Sequence, residues 1–226
     1  MGPRVKIQDR WQARIAIILG LVLYMRLPAK LTLGPIWVAP LIVGVLLVPL
    51  IALSPSGRSA SSRAARTLSI LMIAALNLFN VASAVLLVVD LLNTHAKNHA
   101  VTAIDLLRYG ALIWATNVIV FALWYWELDA DGPAARQECR SVAEFHAPDF
   151  LFPQMSLDPA RVRGYEGTWK PEFVDYLYVS FTNALAVSPT DTMPLSRWAK
   201  MLMLAESLIS FTTVALILAR SVNILS

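Results

Sequence analysis

The sequence predicts an all-α membrane protein with about five transmembrane helices and a re-entrant half-helix and loop between the last two. Two observations predict this class. Hydrophobic residues make up 57% of the chain and its mean hydropathy is +0.60, which is too apolar for a soluble fold of 226 residues. Several segments also carry the roughly 20 apolar residues that a helix needs to cross the hydrocarbon.

Four segments are clear candidates for spans: Ile36 to Leu53, Leu68 to Leu92, Ile104 to Trp126 and Met201 to Leu225. A fifth, Ile15 to Met25, is shorter, and we interpret it as a span because Arg14 and Arg26 can reach the two membrane surfaces. Its alternatives are an interfacial helix or a signal peptide. No small-residue cleavage site follows Met25, which argues against the signal peptide.

The stretch Phe173 to Val187 is apolar but too short to span comfortably, and Ser-Pro-Thr-Asp follows it. A half-membrane helix that returns as a loop fits this pattern. Irregular backbone at membrane depth is tolerated where it is buried in protein or lines water. The stretch therefore indicates a cavity or pore.

Residues Ala186 to Ser196 resemble the selectivity filter of potassium channels, in register. That pattern runs T-V-G-Y-G-D, two variable residues, P, one variable residue, then T or S. This chain keeps Val187, Asp191, Pro194 and Ser196 of the pattern. Together with the helices on either side, the resemblance covers about 50 C-terminal residues. It implies a pore-loop architecture and a tetrameric homo-oligomer.

Both filter glycines of the pattern are absent, which predicts a degenerate filter. Ser188 and Thr190 carry a Cβ, and Pro189 fixes φ and removes an N–H, so the alternating carbonyl cage is not expected to form. We therefore expect no potassium selectivity. In its place, Thr190 hydroxyls and a ring of Asp191 carboxylates would attract hydrated cations. The predicted filter-like constriction comprises Ala186, Val187, Ser188, Pro189, Thr190 and Asp191.

The resemblance divides the chain into two parts. Residues 1–103 hold the N-terminal transmembrane helices, about three spans, and residues 104–226 form the pore-like module. The predicted parts of the module are an outer helix 104–127, a linker or cap 128–172, a pore helix 173–187, a filter-like loop 188–196 and an inner helix 197–225. The rest of the chain is similar to a family of small bacterial integral membrane proteins of unknown function. That similarity implies the bacterial inner (plasma) membrane and no activity.

Polar residues inside apolar helices are costly and therefore informative. Glu206, Ser210, Thr213 and Ile217 fall at spacings of 4, 3 and 4 and share one helix face, which would line a pore or pack against a partner helix. For Glu206 the alternative is an interfacial carboxylate paired with Lys200 or Arg197.

The other helices hold further polar candidates. We interpret these as hydrogen bonds between helices: Asn77, Asn80, Ser83, Thr116 and Asn117. Asp105 and Arg108 are three residues apart, which allows an ion pair. Tyr125, between two tryptophans, is interpreted as a membrane-interface anchor.

The sequence carries no enzyme motif, and we predict no catalytic residue, no cofactor and no metal site. His95 and His99 stand four residues apart without a third ligand nearby, and Cys139 is the single cysteine. Predicted partners are the lipid bilayer, further copies of the chain and monovalent or other cations, with no nucleic acid.

Membrane orientation stays open, because two arguments disagree. Basic residues in short loops favour a cytoplasmic N-terminus, whereas the potassium-channel comparison places the linker and filter mouth outside. The predicted function is an ion-channel-like pore-loop protein. The alternative is a non-conducting membrane scaffold or subunit that keeps a channel-like fold.

Overall fold

The structure is a computed structural model that describes residues 11–53, 63–93, 102–139, 144, 147–157, 169–185 and 191–225. Its helices are α1 (Trp11–Met25), α2 (Val38–Leu53), α3 (Arg63–Asn93), α4 (Ala103–Leu128), α5 (Pro133–Glu138), α6 (Phe173–Leu185) and α7 (Arg197–Leu225). Two short strands, β1 (Phe150–Leu151) and β2 (Met193–Pro194), pair antiparallel. Three short 3-10 turns cover Ala29–Leu31, Asp129–Asp131 and Pro153–Ser156.

Among the described residues, three helices are long and apolar enough to cross a membrane, and these are α3, α4 and α7. The helices α1 and α2 are apolar but shorter. Large apolar side chains such as Val48, Leu78 and Phe211 are exposed on the outside of the bundle, where a bilayer would surround them. The prediction of a helical integral membrane protein is therefore confirmed at this level.

The helix bounds agree closely with those expected from the sequence. The helix predicted over 197–225 begins and ends at those residues, and the helix predicted over 104–127 is one residue longer at each end. The helix predicted over 173–187 is described from Phe173 to Leu185, and residues 186–190 lie outside the described residues. The third helix begins at Arg63 rather than at Leu68, because arginines at a helix end can keep their charge in water.

Helix α4 is the centre of the bundle and packs against α1, α3, α6 and α7, whereas α2 lies against α3. The run from Ile119 to Leu123 is buried at every position. A helix that is buried on all sides has apolar residues on every face, and residues 119–123 of α4 are all apolar. Its polar side chains are consequently placed where they can reach several helices.

Two exposed ion pairs show which helix ends lie together. Arg66 pairs with Asp131 at 3.5 Å, so the start of α3 lies beside the end of α4. Lys30 pairs with Asp90 at 2.7 Å, so the segment after α1 lies beside the end of α3. The ion pair predicted between Asp105 and Arg108 is wrong.

Asp105 instead belongs to the N-terminal cap of α4. Its backbone N–H donates to the Thr102 hydroxyl at 3.1 Å, and that hydroxyl donates to the Asp105 carboxylate at 2.8 Å. The cap satisfies a backbone donor that the first turn leaves without an intrahelical partner. Arg108 is exposed.

Candidate functional site

Glu206 is fully buried where α4, α6 and α7 meet. Tyr125 of α4 donates to its Oε2 at 2.5 Å, and Asn183 of α6 donates to the same oxygen at 2.6 Å. The Ser180 hydroxyl of α6 contacts its Oε1. We call these four residues the Glu206 cluster. One side chain thus joins three helices through neutral partners.

The Glu206 cluster extends along α7 through Asn183. The Asn183 amide also donates to the Met203 carbonyl at 2.9 Å, and its oxygen accepts from the Ser207 hydroxyl at 3.2 Å. Asn183 lies in the last turn of α6. The end of α6 is therefore fixed to the second and third turns of α7.

Asn117 of α4 joins α4 to two other helices, α3 and α7, one turn along α7 from Glu206. It accepts from Asn80 of α3 at 3.0 Å and donates to Ser210 of α7 at 2.9 Å. The predicted role of Asn80 and Asn117 as hydrogen bonds between helices is confirmed. Such bonds are worth about 0.6–1.7 kcal/mol each inside a membrane.

The same interpretation is wrong for three other residues. Thr116 donates to the Leu112 carbonyl of its own helix at 2.8 Å. Asn77 Oδ1 and Ser83 Oγ are buried and have no hydrogen-bond partner among the described residues. Helix spacing predicts which face a side chain occupies but not whether a partner stands opposite it.

The predicted polar face of α7 is buried inside a single chain. Glu206 and Ser210 make the contacts given above, Thr213 donates to the Ile209 carbonyl at 2.7 Å, and Ile217 packs on Gly110 of α4. At Gly110 a Cβ would lie 1.7 Å from Cδ1 of Ile217, so a glycine allows this close approach. Packing against neighbouring helices is thus observed, and pore lining by this face stays a prediction.

Pairing of Glu206 with Lys200 or Arg197 is wrong. Both cations are exposed, and no ion pair reaches Glu206 in the part of the chain that the structure describes. Glu206 lies on the face of α7 that turns toward α4 and α6, away from these cations. A long basic side chain at a helix end gains more from water than from a buried carboxyl group.

A second buried cluster joins the end of α4 to the linker, and we call Asp129, Arg136 and Tyr176 the Asp129 cluster. Asp129 accepts from the backbone N–H groups of Asp149 at 2.7 Å and Phe150 at 3.2 Å. It also accepts from the Tyr176 hydroxyl at 2.5 Å. One carboxylate therefore ties together α4, the linker and the first turn of α6.

Arg136 is fully buried beneath this carboxylate. Its guanidinium donates to the Trp126 carbonyl at 2.7 Å and to the Asp129 carbonyl, and it lies 5.2 Å from the centre of the Tyr176 ring. Both carbonyls stand at the C-terminal end of α4, where backbone acceptors lack partners and a positive charge is favoured. Arg136 thus caps the C-terminal end of α4 by donating to two of its backbone carbonyls.

Lys170 ties the linker to the same region. Its ammonium donates to the Arg136 carbonyl at 3.1 Å and to the Cys139 carbonyl. Partial burial lowers the pKa of Lys170, and the neighbouring Glu144 carboxylate acts in the opposite direction. The buried rings of Phe150, Phe152 and Trp169 in the linker pack at tilted angles, and Phe152 packs edge-to-face on Tyr176.

The segment that follows the predicted filter returns to this cluster. Strand β2 pairs with β1 of the linker, and the Leu195 N–H donates to the Asp149 carbonyl at 2.8 Å. Ser196 then accepts from the Ala199 N–H at 3.1 Å and so caps α7. Asp191 is exposed. The predicted constriction residues Ala186, Val187, Ser188, Pro189 and Thr190 lie outside the described residues.

Sequence reasoning missed the partners of both carboxylates. Tyr125 is buried and bonded to Glu206, so the prediction of an interface anchor is wrong. Ser180 and Asn183 stand three apart on α6 and share a face, a signal that could have placed them opposite a polar residue of α7. Arg136, in a short helix of the linker, carries no comparable signal.

No known family, no curated protein and no solved structure matches this chain. Three helices of spanning length within the described ranges define an integral membrane protein. The resemblance to a potassium-channel pore loop stays a prediction from the residues that carry it.

Proposed function

We propose that the chain is one subunit of an oligomeric, channel-like membrane protein that passes cations without potassium selectivity. In this proposal α4, α6 and α7 are the outer, pore and inner helices. The residues that constrict the pore are Ser188, Pro189, Thr190 and Asp191. One observation supports this proposal most directly. The linker before α6 and strand β2 after it both lie at the C-terminal end of α4.

Contacts on both sides of α6 support a re-entrant path. Tyr176, in the first turn of α6, bonds to Asp129 at the end of α4. After α6, strand β2 pairs with β1, directly beside the backbone groups that bond to the same Asp129. A helix that crossed the membrane would deliver the following strand to the opposite end of the bundle.

The length of α6 also supports this path. Its 13 residues extend about 20 Å, against about 30 Å of hydrocarbon. Asn183 near its end bonds to Met203 and Ser207, which lie about 9 and 15 Å along α7 from its start. The deepest part of the re-entrant segment is therefore near the middle of the bilayer.

The return segment argues for more than one copy of the chain. Residues 186–190 lie outside the described residues, between Leu185 at the end of α6 and the exposed Asp191. Their sequence includes Pro189, which has no backbone N–H and so favours a break in a helix. Irregular backbone at that depth has to be covered by protein or to line water. One loop cannot enclose an axis, so neighbouring subunits complete both the cover and the pore.

The exposed face of α6 is available for such a neighbour. Its large side chains repeat at spacings of 4, 3 and 4, and they are Val174, Tyr178, Phe181 and Leu185. This stripe is on a different side of α6 from Ser180, and of its members Phe181 also packs edge-on against Trp114 of α4. Packing of subunits along it would bring the return segments together around one axis.

The test is cation flux through purified protein in liposomes, combined with the number of copies per nanodisc. We expect a fourfold ring and a flux that is similar for sodium and potassium, because the two glycine positions hold Ser188 and Thr190. Asp191→Asn should reduce the flux several-fold. Glu172→Gln is the matched control, since Glu172 is an exposed acid at the start of α6 but outside the loop.

Two outcomes would contradict the proposal. A monomer in nanodiscs would remove the enclosed axis, and a strongly potassium-selective flux would contradict the argument from backbone geometry. If Asp191→Asn loses flux because the ring falls apart, Asp191 acts in assembly rather than conduction.

The second candidate is a non-conducting scaffold with the same fold. One observation favours it: the polar face of α7 is satisfied within a single chain, so its hydroxyl and carboxyl groups need no water-filled lumen. A ring that passes no cation under any gradient would support this candidate.

A further inference from the structure

Ser180 makes two contacts that share a single hydrogen. Its Oγ lies 2.7 Å from the Val118 carbonyl oxygen of α4 and also contacts Oε1 of Glu206. A serine hydroxyl has one hydrogen to donate, and neither a carbonyl nor an ionised carboxylate can donate one. With an ionised Glu206, one of these two oxygen pairs would be in contact with no hydrogen between them.

A proton on Glu206 supplies the hydrogen that the second of these contacts lacks. We propose that Glu206 is a proton-binding site inside the bilayer, whose neutral carboxylic acid donates from Oε1 to Ser180 and thereby holds α6 against α4 and α7. Ser180 in turn donates to the Val118 carbonyl, and Oε2 accepts from Tyr125 and Asn183. Each contact then contains one hydrogen.

The surroundings of Glu206 favour the neutral acid for an independent reason. The groups that face it are Tyr125 from α4 and the neutral Ser180 and Asn183 from α6, while α3 reaches this region with the neutral Asn80 through Asn117. On α7 itself the nearest cations in sequence are exposed. An ionised carboxylate buried without a cation is strongly disfavoured in a membrane.

The end of α6 adds to this preference. Asn183 is in the last turn of α6, where the free carbonyl groups carry partial negative charge. A negative charge on Glu206 would stand beside that end, and release of the proton would also break the bond from Glu206 to Ser180. Loss of the proton is therefore expected to loosen α6 from α7. This site stands on contacts within one chain and does not rest on conduction.

The test is infrared spectroscopy of the full-length protein in nanodiscs at neutral pH. We expect the carbonyl stretch of a protonated carboxylic acid that shifts in deuterium oxide and is absent from Glu206→Gln. Glu172→Gln, at an exposed acid, is the control and should keep the band. A spectrum in which the parent protein and Glu206→Gln have the same carboxylic acid bands would overturn the proposal.

A second variant tests the direction of the hydrogen bond. Ser180→Ala keeps Glu206 and removes the acceptor of its proton, so the band should persist and move to higher frequency. A band that does not move would show that the proton is not donated to Ser180.

Thermal stability gives a readout that needs no assignment of bands. Glutamine offers Ser180 an N–H donor and offers Tyr125 and Asn183 a carbonyl acceptor, as the neutral acid does. Glu206→Gln should therefore melt within about 4 °C of the parent protein, whereas Glu206→Leu should melt well below it. A Glu206→Gln variant that fails to fold or melts as low as Glu206→Leu would contradict a neutral Glu206.

Discussion

Asp129→Ala is expected to detach the linker from the helix bundle and to lower the free energy of unfolding by about 3–5 kcal/mol. The substitution leaves three donors without an acceptor: the Tyr176 hydroxyl and the backbone N–H groups of Asp149 and Phe150. Each buried donor left unpaired costs about 1–3 kcal/mol. The measurements are the melting temperature in nanodiscs and the rate at which a protease cuts the linker.

Asp131 provides the matched control for this variant. It lies two residues away, is exposed, and pairs with Arg66 at 3.5 Å, an arrangement worth about 0–1 kcal/mol. Asparagine is the suitable replacement, because Asp131 has a φ of +62°, which asparagine tolerates. If Asp129→Ala has the same melting temperature as Asp131→Asn and its linker is cut at the same rate, the Asp129 cluster does not hold the linker.

Arg136→Ala is expected to cost a similar amount, about 3–5 kcal/mol. The guanidinium donates to the Trp126 and Asp129 carbonyls, and charge-assisted bonds of this kind are worth about 1.5–3 kcal/mol each. Without Arg136 the Trp126 carbonyl loses its side-chain donor, and the Asp129 carbonyl keeps only the Gly132 N–H at 2.9 Å. The measurement is the melting temperature of the purified protein.

Two variants make this result specific. Arg108→Ala removes an exposed arginine of α4 and should change stability by no more than about 0.5 kcal/mol. Arg136→Lys keeps the charge but loses the planar fork, so it should recover only part of the loss. Equal melting temperatures for Arg136→Ala and Arg108→Ala would show that capping of α4 by Arg136 does not stabilise the protein.

The helices could be predicted closely from the sequence, because a bilayer demands long apolar runs and leaves few alternatives. Helix α7 matches its expected bounds, and α6 begins at the expected Phe173. Where the bounds differ, as at the start of α3, terminal arginines extend the helix beyond the apolar run. Apolar composition identifies the buried length of a helix better than its ends.

The candidate site was predicted only in part. The spacing of Glu206 and Ser210 placed both on one face of α7, since helical periodicity fixes which residues share a face. Their partners are 81 residues or more away along the chain in the case of Tyr125 and Asn117. Which helix lies opposite that face depends on packing of the whole bundle, and no local pattern encodes it.

The Asp129 cluster was missed for a related reason. Asp129 and Arg136 stand in the segment predicted only as a linker or cap, and both side chains are fully buried. The chain reverses direction after α4 through three residues with positive φ, Ala130, Asp131 and Gly132, and this turn carries Arg136 back to the helix end. Gly132 and Pro133 indicate a turn in the sequence, but they do not indicate which later side chain reaches the end of α4.

Helix α6 is proposed to enter the membrane and return, so the direct measurement is the side from which residues before and after it can be labelled. In a Cys139→Ser background, Glu172→Cys and Arg197→Cys flank α6 and are exposed, and Ile104→Cys marks the other end of α4. A membrane-impermeant maleimide should label the first two from one side and Ile104→Cys from the other. Labelling of Glu172→Cys and Arg197→Cys from opposite sides would show that α6 crosses the membrane and would contradict the re-entrant path.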